Sequence, residues 1–136
     1  MKTIIVQRHS HNLIGIQERI AEIDENIDIF YTSNPRDVLR RVRGNDPVFV
    51  VSGQVFDYPT SGTNLARAVK SINPYALFFI YSVMPEWNES VDGIIPKEDG
   101  THSLLARILT SNLEDITPVD LGLAFPEVRI LAYAPE

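Results

Sequence analysis

The chain has no cysteine. That excludes a disulfide framework, a thiolate metal site and a cysteine nucleophile. It has no apolar run near the ~20 residues a membrane helix needs. The opening Ile4-Ile5-Val6 run stops at Gln7 and Arg8, too short for a signal-peptide core. These two absences make a reducing cytoplasm the expected location and a membrane an unexpected partner. Positive charge is also scarce. Twelve Lys and Arg stand against 18 Asp and Glu, for a net charge of -6. A phosphate backbone needs a positive field, so nucleic acid is not an expected partner. No repeat, low-complexity tract or charge block interrupts the chain, and no phosphate-loop or cofactor motif is present. Gly53 and Gly62 do not form such a loop, and no lysine follows Gly62 closely.

What is present is an ordinary globular composition. Of 136 residues, 44% are hydrophobic and 22% charged, enough for one compact core. Short β-branched or aromatic runs at residues 3–6, 27–31, 48–51, 76–81 and 93–95 predict five strands. Helical spacing of Leu13, Ile16, Ile20 and Ile23 predicts a helix after the first strand, with Ser10 or Asn12 as its cap. Asn34-Pro35 opens a second helix, carrying Val38, Leu39 and Val42 and ending at Gly44. Leu65, Ala68, Val69 and Ile72 mark a third, stopped by Asn73-Pro74. Leu104, Leu105, Ile108 and Leu109 mark a fourth. The third strand, Val48-Phe49-Val50-Val51, is apolar throughout, as expected where both faces are buried. Alternating strands and helices predict an α/β fold, an open and mostly parallel sheet with helices on both faces. Residues 1–110 hold this alternation. Residues 111–136 form a C-terminal extension, in which residues 128–133, from Val128 to Tyr133, read as an extra strand.

An open parallel sheet carries its functional loops at the carboxyl ends of its strands. The residues there are Gln7 and Arg8, Ser52, Ser82, and Lys97 after Pro96. Across residues 2–110 this layout resembles the receiver domain of two-component response regulators, a flavodoxin-like five-stranded fold. The separation of Ser52 from Ser82 is similar to the receiver spacing between the aspartate and the Thr or Ser. Pro59 to Gly62, followed by Leu65, is similar to the turn that opens the third receiver helix. The resemblance implies an acidic pair after strand one and a phosphoacceptor aspartate after strand three. Here Gln7 and Arg8 replace the acids, and Ser52, or Gln54 in a shifted register, replaces the acceptor. Asp57 lies well past the strand end. Ser82 and Lys97 fit, although Lys97 follows its proline instead of preceding it. The segment between Ser82 and Gly93 is too short for a fourth receiver helix with its loops. The resemblance is therefore to a pseudo-receiver.

The chemistry points the same way. Magnesium requires carboxylate oxygens; Gln7 is neutral and Arg8 repels a cation. A lone Ser52 without an adjacent base is not an activated nucleophile. Arg8 and Lys97 share one sheet edge, where they either form structural ion pairs, with Asp57 for example, or bind an anion or a partner. His9 and His11 read as a solvated loop or helix start, since no carboxylate or third histidine lies close by, and no metal site is expected. Arg36, Arg40 and Arg43 fall on one helical face, either a wet surface or a docking stripe for an acidic partner. Phe56, Tyr58 and Trp87 are loop aromatics, which either contact a partner or fold back over the sheet edge. Thr60-Ser61-Gly62-Thr63-Asn64 reads as a turn and cap, with a phosphate cradle as the alternative.

The functional expectation is a non-enzymatic signalling or regulatory domain that binds protein partners independently of phosphorylation. Residues 128–133 are expected to support a homodimer, with an intramolecular strand as the alternative. The competing class is a small enzyme or anion- or ligand-binding domain using Arg8, Ser52, Ser82 and Lys97.

Overall fold

A computed structural model describes residues 1–57, 60–97 and 100–131. In chain order the elements are β1 (Lys2–Val6), α1 (Ser10–Ile23), β2 (Ile29–Thr32), α2 (Pro35–Arg41), β3 (Val48–Ser52), α3 (Gly62–Ile72), β4 (Leu77–Ser82), β5 (Gly93–Pro96), α4 (Ser103–Leu109), α5 (Pro118–Ala124) and β6 (Arg129–Ile130). The strands form one sheet in the order β2-β1-β3-β4-β5-β6. The first five are parallel, and β6 runs antiparallel to β5. The chain steps from β1 to β2 on one side and then to β3 on the other, so the sheet reverses direction between β1 and β3. That switch point is where doubly wound sheets open a crevice.

Two apolar layers follow from the period-two geometry of the strands. Ile5, Phe49, Val51, Phe79, Tyr81 and Ile95 face α1 and α4. Ile4, Val6, Val48, Val50, Phe78, Ile80 and Ile94 face α2 and α3. Phe49 and Phe79 stack across adjacent strands with ring centroids 5.2 Å apart. Strands buried on both faces explain why β3 reads as an unbroken apolar run.

The local signals act largely as expected. Asn34 caps α2 by accepting from the Arg36 N–H at 3.0 Å, with Pro35 in the first turn. Ser61 caps α3 through the Asn64 N–H at 3.1 Å. Two details differ. His9, not Ser10 or Asn12, occupies the N-cap of α1, and its side chain makes no capping bond. The second helix ends at Arg41, before Gly44 at φ 110°, so Arg43 leaves the face shared by Arg36 and Arg40. As its length implies, the segment 83–92 contains no helix, and β4 and β5 are joined by an irregular crossover.

The extension beyond residue 110 is built into the core. Leu113, Leu121, Phe125 and Val128 are buried against the α1–α4 layer. A capping box, in which Thr117 and Asp120 bond each other's backbone, starts α5. The expected C-terminal strand forms only at Arg129–Ile130, and it pairs with β5 of the same chain. Ala132 and Tyr133 lie outside the described residues. Among the described residues, no helix is long and apolar enough to cross a membrane.

Candidate functional site

The strand ends converge as the sequence implies. Val6 aligns with Ser52, Ser52 with Ile80, and Ser82 with Pro96. Residues one step beyond them therefore share one edge. A pocket of ≈ 150 Å³ opens there, lined by Gln7, Arg8, His9, Asn12, Gln54, Ser82 and Lys97 together with Gly53, Val55, Tyr81 and Val83. Among the described residues, no Asp or Glu lines it.

Each expected site residue has a distinct fate. Gln7 is buried, its amide nitrogen 3.5 Å from the Tyr81 carbonyl oxygen. Arg8 extends outward to pair with Asp57 at 3.3 Å, their side chains 46% and 92% exposed. Ser52 does not line the pocket. It is fully buried, and its hydroxyl donates to the Gly53 carbonyl at 2.7 Å. The buried Gln54 side chain accepts from the Glu86 N–H at 3.1 Å. Ser82 accepts from the Met84 N–H at 3.3 Å. Lys97 lies with its ammonium 5.5 Å from the Tyr81 ring centroid. Burial pulls its pKa down from the ordinary lysine value. Among the described residues, no carboxylate pairs with it.

The floor of the pocket depends on close backbone packing. The Gly53 N–H donates to the Val6 carbonyl at 2.9 Å, and the Gly62 N–H to the Gln54 carbonyl at 2.8 Å. A Cβ on Gly62 would lie 2.4 Å from the Gly53 carbonyl oxygen, so the turn requires glycine there. This geometry makes the Ser61–Gly62 segment a cap and a close approach.

The remaining candidates divide between core and surface. Phe56 is buried in the α2–α3 layer at 6% exposure, so it is not available to a partner. Tyr58 lies outside the described residues. Trp87 is half exposed, with the Arg129 guanidinium 4.8 Å above its ring. Arg36, Arg40 and Arg43 are exposed, and Arg40 pairs with Asp37 at 3.5 Å. His9 and His11 stack at 5.4 Å. Among the described residues, no group of three or more His, Cys, Asp or Glu is placed to hold a metal.

Two buried polar pairs escape the sequence. Tyr81 and His102 approach at 2.6 Å between the phenol oxygen and Nδ1. Asp92 receives Lys70 at 2.7 Å and the Phe78 N–H at 2.8 Å. Tyr81 and His102 are joined by no spacing rule. For Asp92, an acid directly before a buried strand is the sequence signal.

No protein-family profile and no curated protein matches the sequence. Solved structures do resemble it in shape. An adenylate cyclase from Rhodopirellula baltica superposes with a TM-score of 0.57 at 11% identity, covering 93% of each chain. The isolated REC domain of RcsB from Salmonella enterica serovar Typhimurium, determined in the presence of the phosphomimetic BeF3-, superposes with a TM-score of 0.52 at 16% identity. It covers 93% of this chain and 86% of that one. At such identities the likeness is one of fold, and the fold of this chain is receiver-like, a flavodoxin-type sheet with an added antiparallel edge strand.

Proposed function

We propose that the chain is a pseudo-receiver, a signalling or regulatory domain that engages protein partners without phosphorylation and catalyses no reaction. One observation carries this reading: the pocket at the switch point contains cations and amides where phosphoryl transfer needs carboxylates and a metal. The loop acid Asp57 is solvent-exposed and paired with Arg8. Ser52, the residue at the acceptor position, is buried and bonded to its own neighbour's carbonyl. Fold alone does not set function, and the receiver-like solved structures support a regulatory role only as analogy.

A protein-binding role is supported by the crossover at residues 83–92. Val83, Met84 and Trp87 are exposed there, beside the strand ends. Trp and Met are over-represented in protein interfaces. The reading includes self-association; because Arg129–Ile130 pair with β5 of the same chain, it would use the outer edge of β6.

Magnesium titration followed by amide NMR tests the site. Signals of Gln7, Gly53, Ser82 and Lys97 are expected to stay unmoved at millimolar magnesium. Saturable magnesium shifts at these positions would contradict the reading. Light scattering of the full chain measures self-association. A dimer mass at high micromolar concentration is expected, and a monomer mass there would remove the homodimer.

A further inference from the structure

The pocket has a property that the loss of phosphoryl chemistry does not explain. Receiver function without phosphate requires only that the acids be gone. It does not require a cation, Arg8, in place of one of them beside the lysine that the pattern keeps. Arg8 and Lys97 both line the pocket, and among the described residues no carboxylate does. Lys97 is half-buried against the Tyr81 ring, and among the described residues it has no acidic partner. A desolvated ammonium is unfavourable unless an anion accompanies it. Among the described residues, no carboxylate offsets that cost of burial for Lys97.

The other lining groups suit an oxyanion. Gln7, Gln54 and Asn12 carry amides, and Ser82 a hydroxyl. The long helix α1 begins beside them at His9, with no side-chain cap and no acid in its first turn. An uncapped helix start without acids favours negative charge near it. The volume of ≈ 150 Å³ holds one phosphate group, with any substituent left outside the mouth.

We infer that this pocket is a metal-independent binding site for a phosphate group, free or as the terminal phosphate of a small ester, held between Arg8 and Lys97. The inference rests on the pseudo-receiver reading and gives the pocket a ligand. No bond is made or broken. The ligand is a regulatory anion where a receiver would carry a covalent phosphoryl group. Asp57 is the built-in competitor, because its carboxylate already lies 3.3 Å from Arg8. Binding draws Arg8 from Asp57 into the pocket. That exchange loosens the loop carrying Asp57, next to the crossover proposed as the partner surface.

Thermal unfolding of the full chain tests the inference. Inorganic phosphate and glycerol 3-phosphate are titrated at constant ionic strength, with EDTA in one arm and magnesium in the other. A ligand that binds only the folded state raises Tm saturably. The expected result is a saturable rise with EDTA present, from at least one of the two ligands. The better ligand identifies the source as free phosphate or an ester. Lys97→Met and Arg8→Gln should each weaken binding about tenfold, as loss of a charge-assisted contact does. Asp57→Asn should strengthen it about two- to fivefold by freeing Arg8 from an exposed pair. A rise that both cation variants share with the wild type is a general salting effect and overturns the site. Absence of any saturable rise in either arm overturns the phosphate site and leaves the pseudo-receiver reading intact. A rise that appears only with magnesium overturns both.

Discussion

Two connections leave the same edge of the sheet, and they resolve the same problem in opposite ways. The β3–α3 connection, residues 53–61, is anchored at several points. Its backbone bonds β1 through Gly53 and α3 through Gln54, Val55 bridges Ser61, and Phe56 is driven into the core. The β4–β5 connection, residues 83–92, is fastened from its middle onward, where the Glu86 N–H donates to Gln54, Asn88 donates to the Thr63 carbonyl at 3.0 Å and Asp92 locks onto Lys70. Its near half leaves Val83 72% and Met84 80% exposed. A loop long enough to stray was secured by burying an aromatic. The loop that replaces a helix was left with apolar side chains in water. The first connection therefore shapes the pocket floor, and the second is the surface that a partner has reason to cover.

Substitutions in the two loops should separate these roles. The largest effect is expected at Phe56. Phe56→Ala empties a core position and should cost about 3–5 kcal/mol in chemical denaturation. A loss near zero would mean that the loop is not anchored as described. Gly62→Ala comes next, since its Cβ meets backbone oxygen with no flexible atom to yield. It should cost about 1–3 kcal/mol. In the other loop, Trp87→Ala gives up an exposed ring and its contact with Arg129, for about 0–1 kcal/mol. The same variant should weaken partner capture more than Phe56 variants matched for folded fraction. Arg8→Ala breaks an exposed ion pair, and about 0–1 kcal/mol is expected from the same denaturation curves.

The smallest effect concerns pH and reports on the pocket itself. Burial holds Lys97 below its ordinary value of 10.5. Between the lowered folded value and 10.5, the unfolded chain binds more protons than the folded one, so stability rises with pH across that window. Below it the full cost of the buried charge is present. Lys97→Met should flatten this part of the profile. A slope equal to that of the wild type would show that Lys97 does not titrate in the pocket.

The sequence revealed the sheet better than the site. Periodicity and caps such as Asn34-Pro35 are local, and local patterns placed the strands and the first four helices. α5 lies in the segment expected as an extension, although Thr117, Pro118 and Asp120 together carry a helix-start signal. The treatment of residues 111–136 as an extension hid the burial of Leu113, Leu121, Phe125 and Val128. Cutting the chain after Asn112 would remove all four from the core. Self-association is therefore best measured on the full chain. At the site, strand-end logic brought Arg8, Ser82 and Lys97 together, because parallel register fixes which ends are neighbours. Alternation sets the facing of strand residues such as Ser52, but not of residues in the loops beyond. Sequence therefore could not show that Phe56 is buried while Trp87 stays exposed, or that Tyr81 meets His102.

The central claim is that the strand-end pocket performs no phosphoryl transfer. Intact-mass spectrometry after incubation with acetyl phosphate and magnesium tests it most directly. The account predicts an unmodified mass for the full chain at every magnesium concentration. A stoichiometric phosphoryl adduct mapped to Asp57 or Ser52 would contradict it.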